Sequence, residues 1–241
     1  HIEALFNELT EARSEHLAID RLLNRFIDSV LSEVFFDPLK NETPEHWAVR
    51  TVSDLIDTKP QYGYTQSATE EPVGPKFLRI SDIQEGQVDW DKVPYCECDE
   101  ETKEKYQLEP GDLMVARSGA TTGKTYLVKD PPAVAVFASY LIRLQISEYA
   151  LPAYVYWFFQ SPYYWAQVQP RGAAQPNVNA TILSELKVPI PIEESAQIQI
   201  VNYLDKIQGE MVEVKRVQDQ DRQLFDRLER SILSRAFKAE L

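Results

Sequence analysis

The sequence predicts an α+β protein: a mixed α/β globular domain inserted between long N- and C-terminal helices that form an antiparallel coiled coil. Three observations carry this. From about Glu193 to Lys238, apolar residues fall at Ile198, Val201, Leu204, Ile207, Met211, Val214 and Val217, and resume at Leu224, Leu228 and Ile232 after a polar patch at 219–222. Residues 22–35 (LLNRFIDSVLSEVF) return at an offset of 202 as residues 224–237 (LFDRLERSILSRAF), with six of fourteen positions identical. Between the two copies lies a stretch where strand and turn signals alternate.

The C-terminal spacing of three and four is that of one long helix with a narrow apolar stripe, close to a coiled-coil seam. Pro189 and Pro191 exclude helix just upstream, and Glu193 and Glu194 suit the positive end of the helix dipole. Some 45 residues at 1.5 Å each make a rod of roughly 65 Å. Gly209 costs it about 1 kcal/mol. Such a rod needs a partner helix, and residues 1–36 supply one, with Ile19, Leu23, Phe26, Val30 and Val34 on a stripe. Pro38 ends it by disfavouring helix at Asp37. The expected interface is Leu23, Phe26 and Val30 against Leu204, Ile207, Met211, Val214, Leu224, Leu228 and Ile232. The shared skeleton Arg-x3-Ser-x-Leu-Ser-x2-Phe identifies a duplication: helix, globular insert, the same helix again. The domain borders are 1–37, 38–192 and 193–241.

Within the insert, Trp47 anchors the start, and residues 52–56 form a short element. Residues 61–74, polar and rich in Tyr, Gly, Thr and Gln, read as a loop. Residues 77–80 are strand-like, followed by a turn at 85–86. Residues 111–119 read as turn, strand and second turn, and 125–128, 133–137 and 140–145 as further strands. Pro152 opens a helix, Ser161-Pro162 starts another, and Asn179 caps a short one through Leu186.

With 44% hydrophobic and 26% charged residues, this is the composition of a soluble protein. No run approaches the 18 to 20 apolar residues of a membrane span and no secretory signal is present, so the expected location is the cytoplasm. Cys96 and Cys98 are too close to form a useful disulfide loop, and three scattered histidines complete no four-ligand zinc site. The net charge of −13 argues against a nucleic-acid partner, but it is uneven: −4 over residues 1–36, −9 over 37–195 and zero over 196–241. Much of the middle deficit is the run from Glu97 to Glu109, read as a solvated loop. A DNA face requires the few cations to gather on one side.

Four local patterns bear on chemistry. Residues 119–125, Gly-Ala-Thr-Thr-Gly-Lys-Thr, have three residues between the glycines where a phosphate loop needs four, and no helix comes after them. They read either as a glycine-kinked hairpin or as a loop offering hydroxyls, amides, Arg117 and Lys124 to phosphates or bases. Asp130-Pro131-Pro132-Ala133 resembles the catalytic tetrapeptide of amino-methyltransferases, but Ala133 stands where an aromatic would stack on a flipped base, so a proline turn is the better reading. The aromatics at 154, 156–159 and 163–165 have helical spacing and belong to a core rather than a base-stacking platform. Residues 171–179, Arg-Gly-Ala-Ala-Gln-Pro-Asn-Val-Asn, offer amides suited to adenine edges and an arginine suited to guanine or phosphate; Asn177 and Asn179 equally suit turns and caps. No nucleophile, acid–base pair or metal site is marked.

In order, these segments are Lys76-Phe77-Leu78-Arg79-Ile80-Ser81-Asp82-Ile83 with Gly86, Pro110-Gly111-Asp112-Leu113 into Arg117-Ser118-Gly119, Gly172 through Val178, and Val188-Pro189-Ile190-Pro191 into a long helix. Together they resemble one target-recognition domain and conserved helical region of a type I restriction-modification specificity subunit. The likeness covers nearly the whole chain. That family alternates two recognition domains with near-identical helical spacers; this chain carries one, as a half-length subunit or a fragment would. The family's Pro-x-x-Glu-Gln before the spacer stands here as Pro191-Ile192-Glu193-Glu194-Ser195-Ala196-Gln197.

The resemblance implies a non-catalytic reader of double-stranded DNA. Its domain would read a half-site in the major groove, and its helices would set the spacing and dock methyltransferase subunits, with a restriction subunit completing the complex. No cofactor is expected on this chain; S-adenosylmethionine belongs to the methyltransferase partner. The candidate DNA contacts are Tyr62, Tyr64, Gln66, Lys76, Arg79, Arg117, Ser118, Thr121, Thr122, Lys124, Arg171, Gln175 and Asn177. A single half-site holds little information, and the C-terminal rod is longer than its N-terminal partner, so a homodimer through the helices is expected. The rival reading is a helical scaffold whose inserted domain binds a peptide or protein, which the acidic charge suits.

Overall fold

The structure, a computed structural model, describes residues 2–40, 42–84, 86–119, 121–168 and 178–237. In chain order the elements are α1 (Ile2–Val34), β1 (Trp47–Thr51), α2 (Val52–Leu55), β2 (Gln61–Tyr62), β3 (Lys76–Leu78), β4 (Ile83–Gln84), β5 (Gln87–Val88) and α3 (Glu100–Tyr106). Next come β6 (Leu113–Ala116), β7 (Thr125–Leu127), β8 (Ala135–Phe137), β9 (Leu141–Leu144), α4 (Pro152–Phe158), α5 (Pro162–Val168), α6 (Ala180–Glu185), β10 (Lys187–Pro191) and α7 (Glu194–Phe237). The α+β class is as expected. The chain forms two compact units, residues 1–30 with 202–241, and residues 31–201.

In the first unit the two long helices run antiparallel: Arg13 pairs with Asp226 and Glu229, His16 meets Asp221 and Phe225, and Asp20 pairs with Arg222. Leu9, Val30, Leu204, Ile207 and Ile232 are buried, and Leu23 and Met211 half-buried, as expected of seam residues. Four expected seam residues are not in it: Phe26, Val214, Leu224 and Leu228 are 51%, 41%, 52% and 51% exposed. Between Met211 and Ile232 the inward positions of α7 are Lys215, Gln218, Asp221, Phe225 and Glu229, one residue out of phase with the stripe read from sequence. A second apolar stripe with the same period lies on the outside, and periodicity alone cannot say which of two adjacent stripes turns inward.

The second unit is built on an antiparallel sheet in the order β2-β9-β6-β7. All four residues of β6 and of β9 are buried, which explains their continuous apolar runs. Pairs β3–β8, parallel, and β1–β10, antiparallel, flank it; β10 carries Pro189 and Pro191, which a strand paired along one edge tolerates. The aromatic helices are core as read: Tyr154, Phe158, Phe159 and Tyr164 are fully buried, with Phe159 and Tyr164 stacked at 4.5 Å. Phe35, just past α1, makes edge contacts at 5.5 Å with both Tyr154 and Phe158.

Several expectations are corrected. The segment read as a loop at 61–74 contains β2, and Tyr64 and Thr69 bridge to Ala138 and Tyr95. The acidic run at 97–109 is not a plain loop: Asp99 caps α3, accepting from the Thr102 amide at 2.8 Å. The border at 193 also moves. The first turns of α7 belong with the globular unit, where buried Gln197 accepts from the Leu151 amide and donates to the Pro191 carbonyl. The surplus length of α7 is thus covered by the chain's own domain and gives no argument for a second copy.

Candidate nucleic-acid interface

Four segments converge at one end of the sheet because of its strand order. β2 ends there at Tyr62, β6 ends before Arg117, β7 begins after Lys124 and β9 begins after Tyr140. The Arg117 amide donates to the Tyr140 carbonyl and the Val178 amide to the Arg117 carbonyl, which brings the start of α6 to the same edge. The Tyr62 hydroxyl accepts from the Ala180 amide at 3.1 Å, and the Arg117 guanidinium lies 5.0 Å from the Tyr62 ring centroid. A guanidinium carries five N–H donors, and the contact with a ring face, a cation–π contact, uses its charge rather than those donors.

The β6–β7 hairpin is the glycine-kinked turn that one sequence reading described. Gly119 and Gly123 have φ of 85° and 84°, in the left-handed region that favours glycine. A Cβ at Gly123 would lie 2.9 Å from the Trp165 ring, so that position has neither the conformation nor the space for a side chain. Ser118, Thr121 and Thr122 are half-exposed on this turn, with the Thr122 hydroxyl donating to the Gly119 carbonyl, and Lys124 is exposed.

Toward the other end of the sheet lies a buried polar node. Arg143 of β9 donates to Asp112 at 3.3 Å, to the Gln107 and Lys105 carbonyls, and to the side-chain oxygen of Gln61, the neighbour of Tyr62. Burial pushes the Asp112 carboxyl above the usual range, against the Glu109 amide and the Arg143 charge, which act the other way. The node fixes β2 to the sheet and leaves Tyr62 at the rim.

Not every candidate joins this group. The Lys76 ammonium donates to the Val93 carbonyl at 2.7 Å and lies over the Tyr95 ring, at the opposite end of β3 from Arg79. Arg79 is held bidentately by Asp82, whose hydrogen bonds raise its pKa. Tyr64 is stacked on Tyr106, and Gln66 is exposed, its side-chain amide 3.4 Å from both the Tyr64 hydroxyl and the Glu97 carbonyl. Arg171, Gln175 and Asn177 lie outside the described residues. Asn179 is a cap, accepting from the Ile182 amide. Of the described cations in the expected cluster, Arg117 and Lys124 come together and Lys76 does not. Tyr140, 61% exposed and bonded to Arg117 through its carbonyl, belongs to the group and escaped the sequence reading, which counted it as a strand residue. Its only signal was an aromatic side chain at a strand start.

The site is thus an aromatic and cationic rim at one end of the sheet, with hydroxyls and one hairpin kinked at two glycines between. The profile described as "Type I restriction modification DNA specificity domain" matches residues 44–219, and the chain belongs to that family. It is 26% identical over its full length to the EcoKI specificity subunit of Escherichia coli K12, covering 54% of that protein. It is 27% identical over 92% of its length to the EcoBI specificity subunit of Escherichia coli, covering 47%. The chain spans about half the length of the curated relatives it matches. Among solved structures, one described as addressing complex assembly and conformational transition of the type I R-M system aligns over the whole chain and 58% of the other, at a TM-score of 0.80 and 20% identity. The HsdS subunit of Thermoanaerobacter tengcongensis aligns over the whole chain and 57% of the other, at 0.66 and 20%. No helix of the described residues is long and apolar enough to cross a membrane.

Proposed function

We propose that this chain supplies one DNA-reading domain of a type I restriction-modification specificity subunit, and that the sheet-end rim is its reading face. The observation that carries this is the coincidence of the family match at 44–219 with the convergence of Tyr62, Arg117, Lys124 and Tyr140 on one edge. Lys124 suits phosphate; Arg117, over the Tyr62 ring, suits the O6 and N7 edge of guanine in the major groove. The chain reads and does not catalyse; S-adenosylmethionine belongs to the methyltransferase partner.

The helix pair is the assembly surface in this reading. Leu22 and Phe26 on α1, and their repeat counterparts Leu224 and Leu228 on α7, are all more than half exposed. Two like patches suit two copies of one partner, the methyltransferase subunit, with a restriction subunit joining the complex. A bipartite target requires a second recognition domain, which a second copy of this chain in a homodimer would supply.

The test is duplex binding by the assembled complex as a function of salt. Phosphate neutralisation gives a steep decline, on the order of tenfold or more per few contacts between low and moderate salt. Lys124→Ala should weaken binding alike on all sequences and reduce the salt slope by about 1; Arg117→Ala should cost about 1–3 kcal/mol and relax preference at one position. Binding that ignores salt would favour the protein-binding scaffold.

A further inference from the structure

The helix pair has an internal symmetry. Residues 22–35 recur 202 residues on in α7, and the same offset carried upstream relates 20 to 222, while the cross-helix contacts run in the opposite sense: 13 to 226 and 229, 16 to 221 and 225, 20 to 222. A residue's partner is also its counterpart only where these two rules meet. That place is Asp20 with Arg222. The pair marks the pivot of a quasi-two-fold axis, and burial follows the symmetry over residues 22–30 and 224–232: Val30 and Ile232 are 8% and 5% exposed, Phe26 and Leu228 both 51%.

A seam with this symmetry could as well pair α1 with the α1 of another copy, or α7 with another α7. Charge breaks the tie. At the pivot, α1 on α1 sets Asp20 against Asp20, and α7 on α7 sets Arg222 against Arg222; only the mixed pair joins opposite charges. Arg13 adds to the bias. On α7 it meets Asp226 and Glu229, each at 2.7 Å, whereas on a second α1 those places are taken by Asn24 and Ile27.

We propose that Asp20 and Arg222 form a pairing-selectivity element, by which α1 accepts an α7-type helix, its own chain's or a second copy's, and rejects a second α1. An ion pair whose side chains are 33% and 45% exposed adds little stability. At a position that faces itself in both wrong pairings, its sign acts as specificity instead. Two copies then associate by exchanging α1 for α7, never seam on like seam, and the outward Leu22–Phe26 and Leu224–Leu228 faces stay free for a different partner. The inference goes beyond DNA reading and holds whether or not DNA is bound.

The experiment uses the full chain carrying Cys98→Ser and Arg21→Cys, so that a short bismaleimide links two chains where α1 lies against α1. Asp20→Asn, which removes the like charge, should raise the cross-linked dimer at least about threefold over the parent. Asp20→Arg with Arg222→Asp should return it to the parent level, because reversed signs rebuild the same selection. In hydrogen exchange, Asp20→Arg alone should loosen α1 more than Asp20→Asn does. The proposal is overturned if Asp20→Asn gives no added cross-link, if the reversed pair cross-links as Asp20→Asn does, or if Asp20→Arg and Asp20→Asn loosen α1 equally.

Discussion

Residues 22–35 and 224–237 share a skeleton and, through most of their length, a setting. Leu22 and Leu224 are both exposed, Val30 and Ile232 both buried. From there on they part: Leu31 is 1% and Leu233 39% exposed, and Phe35 is 1% exposed, against the rings of Tyr154 and Phe158, while Phe237 is 89% exposed. Helix sequence therefore sets which face turns inward, and the fold around the helix end decides whether its final aromatic becomes core. One sequence element does two jobs, and only the first is written within it.

The strongest way to break this comparison is at the aromatics. Phe35→Ala should cost the globular unit about 3–5 kcal/mol in denaturant melts, through lost burial and a cavity. Phe237→Ala in the same chain should stay within about 0.5 kcal/mol of wild type. Equal losses would mean the two ends are alike after all. Next come the matched seam positions. Val30→Ala and Ile232→Ala should each destabilise the helix pair by roughly 2–4 kcal/mol and by similar amounts, read as faster amide exchange along α7. A large inequality would place the symmetry axis elsewhere. The smallest effect on the chain itself is expected outside the seam. Phe26→Asp and Leu228→Asp should each change its stability by no more than about 0.5 kcal/mol, yet lower co-purification of methyltransferase subunits. Unfolding of either variant would return these residues to the seam.

The fold was legible where period and punctuation agree. The two helices, the β6 and β9 runs and the proline-led helices can all be read from spacing and caps. The seam was legible at Leu23, Val30, Leu204, Ile207, Met211 and Ile232 but not through the polar middle, where Gln218 and Phe225 turn inward while Val214 and Leu224 turn out. Helix α3 was readable in principle: Asp99 as cap, Glu100 and Glu101 in the first turn, Lys103 and Lys105 in the last, all matched to the dipole. Net charge masked it. The site was legible as residue types and not as a place, because the convergence of Tyr62, Arg117, Lys124 and Tyr140 depends on the order β2-β9-β6-β7. Lys76 shows the converse, a cation of the right type whose ammonium is taken up by backbone carbonyls.

The hairpin between β6 and β7 separates the positions that folding fixes from those it leaves open. Gly119 and Gly123 are constrained by their backbone conformation, and Gly123 also by Trp165. Ser118, Thr121, Thr122 and Lys124 sit between and beside them, outside the core. Substitutions at such surface positions change stability by only about 0.5 kcal/mol in either direction. If the rim is the reading face, mutation can alter which DNA is read while the scaffold is held constant. A lineage carrying this turn can therefore drift from one target to another by single steps, each a folded protein, with no valley of unfolded intermediates to cross.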